Sequence, residues 1–191
     1  MSRAARQRSK RSDALANRAR VLDAAVAAVR QKGEKVPMAV IAANAGVGVG
    51  TLYRHFPTRG ELLAALTQRS FELVADNARA AAAHHDSAVD SLRMFLERAL
   101  EYRDQLVLPL HGGPARLDDD SSTLQAEIRE HIAAILARGR ANGTVSEGVT
   151  ARDVIIAGAQ LASPLPHVDD WDAVARRQMH VFVAGLAAVE L

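Results

Sequence analysis

The chain has 191 residues, 49% hydrophobic and 24% charged, which is enough apolar material to bury a core and excludes disorder throughout. With no cysteine it can form no disulfide, thiolate metal site or cysteine nucleophile, which suits a cytoplasmic protein. No apolar run approaches the ~18–20 residues of a membrane span, so no membrane partner is expected. The near-balance of 24 basic against 22 acidic residues hides a division: residues 1–60 carry twelve Lys and Arg against three acids, a net +9, and residues 61–191 carry −7.

In chain order, residues 1–16 are expected to form a disordered basic arm, since Arg3, Arg6, Arg8, Lys10 and Arg11 precede any apolar pattern. It is either a solubilising tail or an arm that tracks a DNA groove. Leu22, Ala25, Val26 and Val29 then fall at i, i+3, i+4, i+7 and are closed by Gly33, which predicts a helix. A two-turn helix is expected from Met38 to Ala45, opened by Pro37 as its first residue and stopped at Gly46. A third short one runs from about Gly50 to His55 and is broken by Pro57. Longer helical segments follow at about 59–83, 87–104, 122–141, 150–162 and 170–189, while 106–121 reads as irregular. Nothing alternates with the period of a strand, so the fold is predicted to be all-α. A three-helix head over 17–60 would stand on a larger helical body over 61–191.

Two-turn helices are not stable alone, so the short pair must be held by a third element. Ile41, Ala42, Gly46, Val47 and Leu52 have the chemistry of a helix-turn-helix: a small residue at the crossing, a glycine for the turn, and apolar residues spaced to meet Leu22, Val26 and Val29. In that geometry Thr51, Tyr53, Arg54 and His55 face a major groove. Gly46, Gly48 and Gly50 do not make a nucleotide loop, because the third comes too early and a helix precedes them.

From Asn17 to about Leu66 the chain resembles the DNA-binding region of the TetR (tetracycline-repressor-like) regulators. The matching residues are Val21-Leu22-Asp23-Ala24-Ala25, Lys32-Gly33, Ile41-Ala42, Ala45-Gly46-Val47, Gly50 to Phe56, Pro57-Thr58-Arg59 and Glu61-Leu62-Leu63. It departs from the common pattern at Val36-Pro37, where a capping Ser or Thr is usual, at Val40 and at Arg59. The resemblance implies a homodimeric transcriptional regulator, most often a repressor, that grips a double-stranded operator through the head and senses a small-molecule effector through the body. By that likeness Thr51 and Tyr53 hold phosphates at the start of the recognition helix, with Gly50 beside them. Arg54 reaches a guanine edge or a phosphate. His55 either touches DNA or packs on Phe56. Thr58 and Arg59 open the next helix near a phosphate, and Arg18 and Arg20 flank the backbone.

The body offers less. Its histidines do not form a metal site: His84, His85 and Asp86 are adjacent, His131 pairs with Glu127 at i, i+4, and neither Glu-x-x-His nor His-Glu-x-x-His occurs. No cofactor or catalytic role is expected. Phe71, Met94, Phe95, Arg98, Tyr102, Leu110, His111, Leu124, Ile128 and His131 either line an effector pocket or are ordinary core and surface. The last two helices carry apolar stripes, among them Ile155, Gly158 and Leu161 on one and Val181, Phe182 and Leu186 on the other. A stripe of this kind closes the core or meets a partner; the resemblance implies a four-helix dimer interface. Trp171 is read as an anchor at a helix start.

Overall fold

The computed structural model describes residues 3–84, 87–108, 117–165 and 167–187, with side chains from Ala14 onward. Every longer element among them is an α-helix: α1 (Arg3–Lys32), α2 (Met38–Asn44), α3 (Val49–His55), α4 (Arg59–Ala82), α5 (Ala88–Glu101), α6 (Asp119–Ala141), α7 (Ala151–Leu161) and α8 (Trp171–Ala184), with one 3-10 turn at Arg103–Gln105. The chain forms two compact units: Met1–Gln68 with Gln105–Arg116, and Arg69–Asp104 with Leu117–Leu191.

The first unit is built on α1. Its helix starts at Arg3, well ahead of the first apolar repeat, so the stretch expected as a disordered arm is helical. No Pro or Gly interrupts residues 3–32, and Ala, Arg, Gln, Lys and Leu dominate them, so intrinsic propensity favours the helix where hydrophobic patterning is silent. Gly33 ends α1 at φ +78°. Pro37 stands one place earlier than expected, as the N-cap of α2 rather than its first residue. It offers no side-chain cap, and its carbonyl receives Val40 N–H at 3.0 Å. Gly46 takes φ +64° between α2 and α3, which an L side chain rarely tolerates. Val21, Leu22, Val26 and Val29 from α1 pack with Ile41, Ala42, Leu52 and Phe56, as the spacing predicted, and Val47 is partly buried against them.

Two features of this unit were not legible in the periodicity. Leu62, Leu63 and Leu66 of α4 belong to its core, and this compact unit runs on to Gln68, beyond the expected border between residues 60 and 61. Val107, in the stretch read as irregular, is fully buried in the same core. Thr67 donates its hydroxyl to the Val107 carbonyl at 3.0 Å, and Arg30 donates to Leu106 O at 3.4 Å.

In the second unit α5 is central, burying Leu92, Phe95, Leu96, Ala99 and Leu100 and packing with α6, α7 and α8. Helices α5, α6 and α7 start on side-chain caps. Ser87 accepts from Asp90 N–H and Asp118 from Ser121 N–H, while Thr150 and Asp153 form a reciprocal box. Arg138, on α6, donates to the Ala82 and His84 carbonyls and to Ser91 Oγ, tying the end of α4 to α5. α8 stops at Ala184, ahead of the expected end near 189.

Candidate nucleic-acid interface

Helix α3 has seven residues and buries only one of them, Leu52, at 0% exposure. Pinning Leu52 turns the rest of the helix outward. Gly50, Tyr53 and Arg54 are exposed, and Thr51 and His55 are half-buried. Tyr53 leaves 46% of its surface in water, an arrangement that burial alone would not choose for a large ring. Neither α2 nor α3 contains an acidic residue, so nothing on the pair opposes Arg54.

Phe56 ends α3 and is buried, as expected. The Arg18 guanidinium lies 5.3 Å from its ring centroid, in cation–π range, and the His55 ring is tilted against it at 6.4 Å. His55 thus lies beside Phe56 and is half-buried. Arg20 is exposed and donates to Asn17 Oδ1 on its own helix.

Thr58 and Arg59 both make contacts within the protein at the start of α4. Thr58 Oγ1 accepts Glu61 N–H at 3.1 Å and donates to the Glu61 carboxylate, so it caps α4. Arg59 donates through one amino group to the Glu34 carbonyl at 2.7 Å and to the Val36 carbonyl, clasping the α1–α2 loop to the start of α4. The pair of carbonyls holds one end of this half-buried guanidinium against the loop.

The described residues expected around an effector lie on α4, on α5 and its C-terminal cap, and on α6. Phe71, Phe95 and Ile128 are core. Met94, Leu124 and His131 are half-buried and Arg98 is exposed; Leu110 and His111 lie outside the described residues. His131 makes the anticipated surface pair with Glu127 at 3.4 Å, and Glu127 also binds Arg79. Sequence reasoning missed Asn77. It is 3% exposed, and its amide donates to the Phe95 carbonyl at 2.8 Å and to Tyr102 Oη at 2.9 Å. Its Oδ1 is buried without a protein partner. A lone Asn seven residues after Ser70 on an Ala-rich helix was the available signal, since that spacing repeats one face.

Burial pushes the Tyr102 hydroxyl up to about 12, with the Asn77 hydrogen bond and the Arg98 charge pulling the other way. An unfolded tyrosine titrates near 10, so the neutral ring contributes stability that is present below that pH. The contribution is lost as pH rises toward 12, because the unfolded chain ionises first. Between pH 10 and 12 the natural chain should lose about 2 kcal/mol more stability than Tyr102→Phe, measured by urea unfolding at each pH. Parallel losses in both proteins would disprove the assignment.

On α7 and α8 the predicted partner-facing residues divide. A Cβ at Gly158 would lie 3.4 Å from Leu96 and 3.7 Å from Phe95, so Gly158 packs on the chain's own α5. Leu186 is buried at 1%, and Leu161 is nearly so. Gly158 thus faces α5, and Leu161 and Leu186 are buried within the chain itself. Ile155 and Phe182 are half-buried, and Val181 is 67% exposed, joined by Ile156. Beside them a cleft of about 200 Å³ is lined by Ala157, Gln160, Leu161, Trp171, Gln178 and Phe182. Trp171 anchors the start of α8 by donating Nε1–H to the Leu161 carbonyl at 3.0 Å. A second, polar cleft of about 250 Å³ is lined by residues of α5 and α8 with the turn after α5, including Arg103, Asp172 and Arg176. Among the described residues no helix is long and apolar enough to cross a membrane.

Comparison with known proteins bears on both units. Residues 21–66 match the family described as bacterial regulatory proteins, tetR family, and residues 85–188 match the C-terminal domain of SbtR-like transcriptional regulators. The HTH-type transcriptional repressor KstR of Mycobacterium tuberculosis is 30% identical over 134 residues, covering 68% of this chain. The match spans only 61% of that repressor's own length. Among solved structures, a TetR transcription regulatory protein from Mycobacterium vanbaalenii is 31% identical with a TM-score of 0.62, the alignment covering 93% of this chain and 99% of that one. The TetR regulator SCO0520 from Streptomyces coelicolor is 27% identical with a TM-score of 0.61, covering 91% and 99%.

Proposed function

The chain belongs to the TetR family of bacterial transcriptional regulators, which are not enzymes, and from that premise we propose how it works. It is a cytoplasmic repressor that binds a palindromic operator as a homodimer and leaves it when a small molecule binds the helical body. The observation that carries this reading is the outward face of α3, where Thr51, Tyr53 and Arg54 stand on a helix whose one buried residue is Leu52. Thr51 and Tyr53 offer hydroxyls to phosphates, and Arg54 offers a planar fork to a base edge or a phosphate. Gly50 leaves open space beside them: a Cβ there would meet nothing within 4 Å. His55, Arg18 and Arg20 supply the flank. Thr58 and Arg59 act through the fold, by fixing the start of α4.

Two features support the remaining parts. Exposed Ile156, Val181 and the half-buried Phe182 give α7 and α8 an apolar face of the kind that self-association covers. Asn77 and Tyr102 give the body a buried polar pair whose orphaned carbonyl can take a hydrogen bond from an otherwise apolar effector. An effector releases DNA only if it prefers the non-binding conformation.

The test starts from duplexes that the protein retains from a random pool. If about six phosphates are neutralised per dimer, log K should fall with log salt at a slope near −5. Thr51→Ala and Tyr53→Ala should each weaken retention about tenfold or more, and Tyr53→Ala should leave the melting temperature unchanged because that ring is exposed. A slope near zero, or unchanged selective binding in both variants, would rule out this interface. Retention of single-stranded RNA or anionic vesicles without duplex selection would favour a merely basic surface.

A further inference from the structure

Helix α1 continues for about eighteen residues beyond the core it belongs to. Among its described side chains the first fully buried is Val21, and from Ala14 to Arg20 every one is exposed except the half-buried Asn17. Leu15 alone leaves 64% of its surface in water. Packing of the described side chains therefore gives this extension no anchor.

Its electrostatics are unfavourable in free solution. Residues 3–20 hold seven Lys and Arg against the single acid Asp13, and the first turn has no acidic residue. Cations at the start of a helix meet the positive end of its dipole. Arg3 and Arg6, Arg6 and Lys10, and Arg8 and Arg11 are spaced i, i+3 or i, i+4, where like charges repel. A polyanion laid along the extension would relieve both effects.

The fold also sets where the extension goes. Arg18 sits over Phe56, the residue that ends α3, so α1 passes the C-terminal end of the recognition helix at that point. From Arg18 to Arg3 the helix runs on for about 20 Å at 1.5 Å per residue. That is the length of about six base pairs along a duplex axis, at roughly 3.4 Å each.

We infer that residues 3–20 form a second nucleic-acid contact: a basic helix that lies on the phosphate backbone of double-stranded DNA beyond the bases reached by α3. The inference rests on the operator-binding reading above and enlarges its footprint. The extension adds affinity without reading sequence, because cations on phosphates carry no base information. It does so through five positions ahead of the described side chains, Arg3, Arg6, Arg8, Lys10 and Arg11, and through Arg18 and Arg20.

The test compares the natural chain with a variant in which Arg3, Arg6, Arg8, Lys10 and Arg11 are all Gln, which keeps the helix length and leaves the core untouched. The probes are two duplexes carrying the sequence the natural chain selects. One ends at the outer edges of the two half-sites, and the other continues for eight base pairs on each side. The natural chain should bind the longer duplex about tenfold more tightly at 0.1 M salt, with a log–log salt slope steeper by about 4 for some two extra phosphates per protomer. The Gln variant should bind both lengths alike, at the shallower slope, while keeping its sequence preference. Equal affinities and slopes for the natural chain and the variant on the long duplex overturn the extension alone. A natural chain that selects no duplex overturns the operator reading, and this inference with it.

Discussion

Leu52→Ala is expected to abolish selective DNA binding by unseating α3. Leu52 is the sole fully buried side chain of a seven-residue helix, and its partners include Ile41 at 1% exposure and Phe56 at 3%. Truncating a fully buried leucine costs about 2–5 kcal/mol, from lost burial and from the cavity left behind. A helix of two turns has almost no stability of its own to set against that loss. The variant should therefore melt lower by roughly 6–12 °C if the cost is near 3 kcal/mol, and it should lose operator retention well below its melting point. Leu52→Met, which nearly conserves volume, should cost about 1 kcal/mol and keep binding. The comparison with Tyr53→Ala, one residue further on, is the sharper one. That change should take affinity and leave the melt alone, because Tyr53 is exposed. Paired melting curves and duplex titrations check both; a Leu52→Ala protein that melts and binds like the natural chain would show that α3 is held by something else.

The second large effect is expected at Gly139, near the end of α6. Replacing a helical glycine by alanine normally gains about 1 kcal/mol. Here the added Cβ would lie 2.8 Å from the Ala88 Cβ and 3.0 Å from the Val145 Cβ, and closer still to a Val145 methyl. These are short, buried side chains with no flexible end to swing aside. The Gly139 carbonyl also receives the Thr144 and Val145 N–H groups, so the loop that carries Val145 is tied to the same spot. Overpacking of this kind costs about 1–3 kcal/mol, and the contact on three atoms at once puts Gly139→Ala at the upper end. The clash outweighs the propensity gain, so the net effect should be a loss of about 2 kcal/mol in urea unfolding. Gly50→Ala is the control, since its Cβ enters open space and should not destabilise the fold. Stabilisation by Gly139→Ala would mean that α5 and α6 part more readily than their packing indicates.

The acidic caps bring a smaller effect of opposite direction. Hydrogen bonds from Thr150 hold Asp153 below the ordinary carboxylate range, and those from Ser121 do the same for Asp118. Their contribution is present above the unfolded carboxylate pKa and fades as pH falls through the folded values. The body thus loses cap stabilisation in acid and Tyr102 stabilisation in alkali.

How much of the site was legible depends on which force placed each residue. Leu22, Val26, Val29, Ile41 and Leu52 were readable because burial of a helix face leaves a 3.6-residue rhythm, and Gly46 because a positive φ selects glycine. Tyr53 and Arg54 followed as the face left over. The contacts of Arg59 were not legible for the opposite reason: a guanidinium that reaches two carbonyls of a distant loop has no local signature. The same holds for Arg138, whose partners lie near residues 82–91, and for Gly158, where the side facing α5 and the side facing solvent share one apolar stripe.

The sequence by itself determined an all-helical chain, the two-turn pair with its glycine turn, and the division into a basic head and an acidic body. Those follow from rhythm, backbone preference and charge, which act between near neighbours. Only the tertiary structure decided that Val107 closes the head's core, that Arg59 clasps the α1–α2 loop, and that Asn77 is buried with an unpaired carbonyl. It also decided that the basic start of the chain is a helix without described packing, leading away past the end of α3. Each of these rests on contacts between residues far apart in the chain, or on their absence. No local pattern of side chains encodes such contacts, because the same residues in another arrangement would satisfy the same local rules.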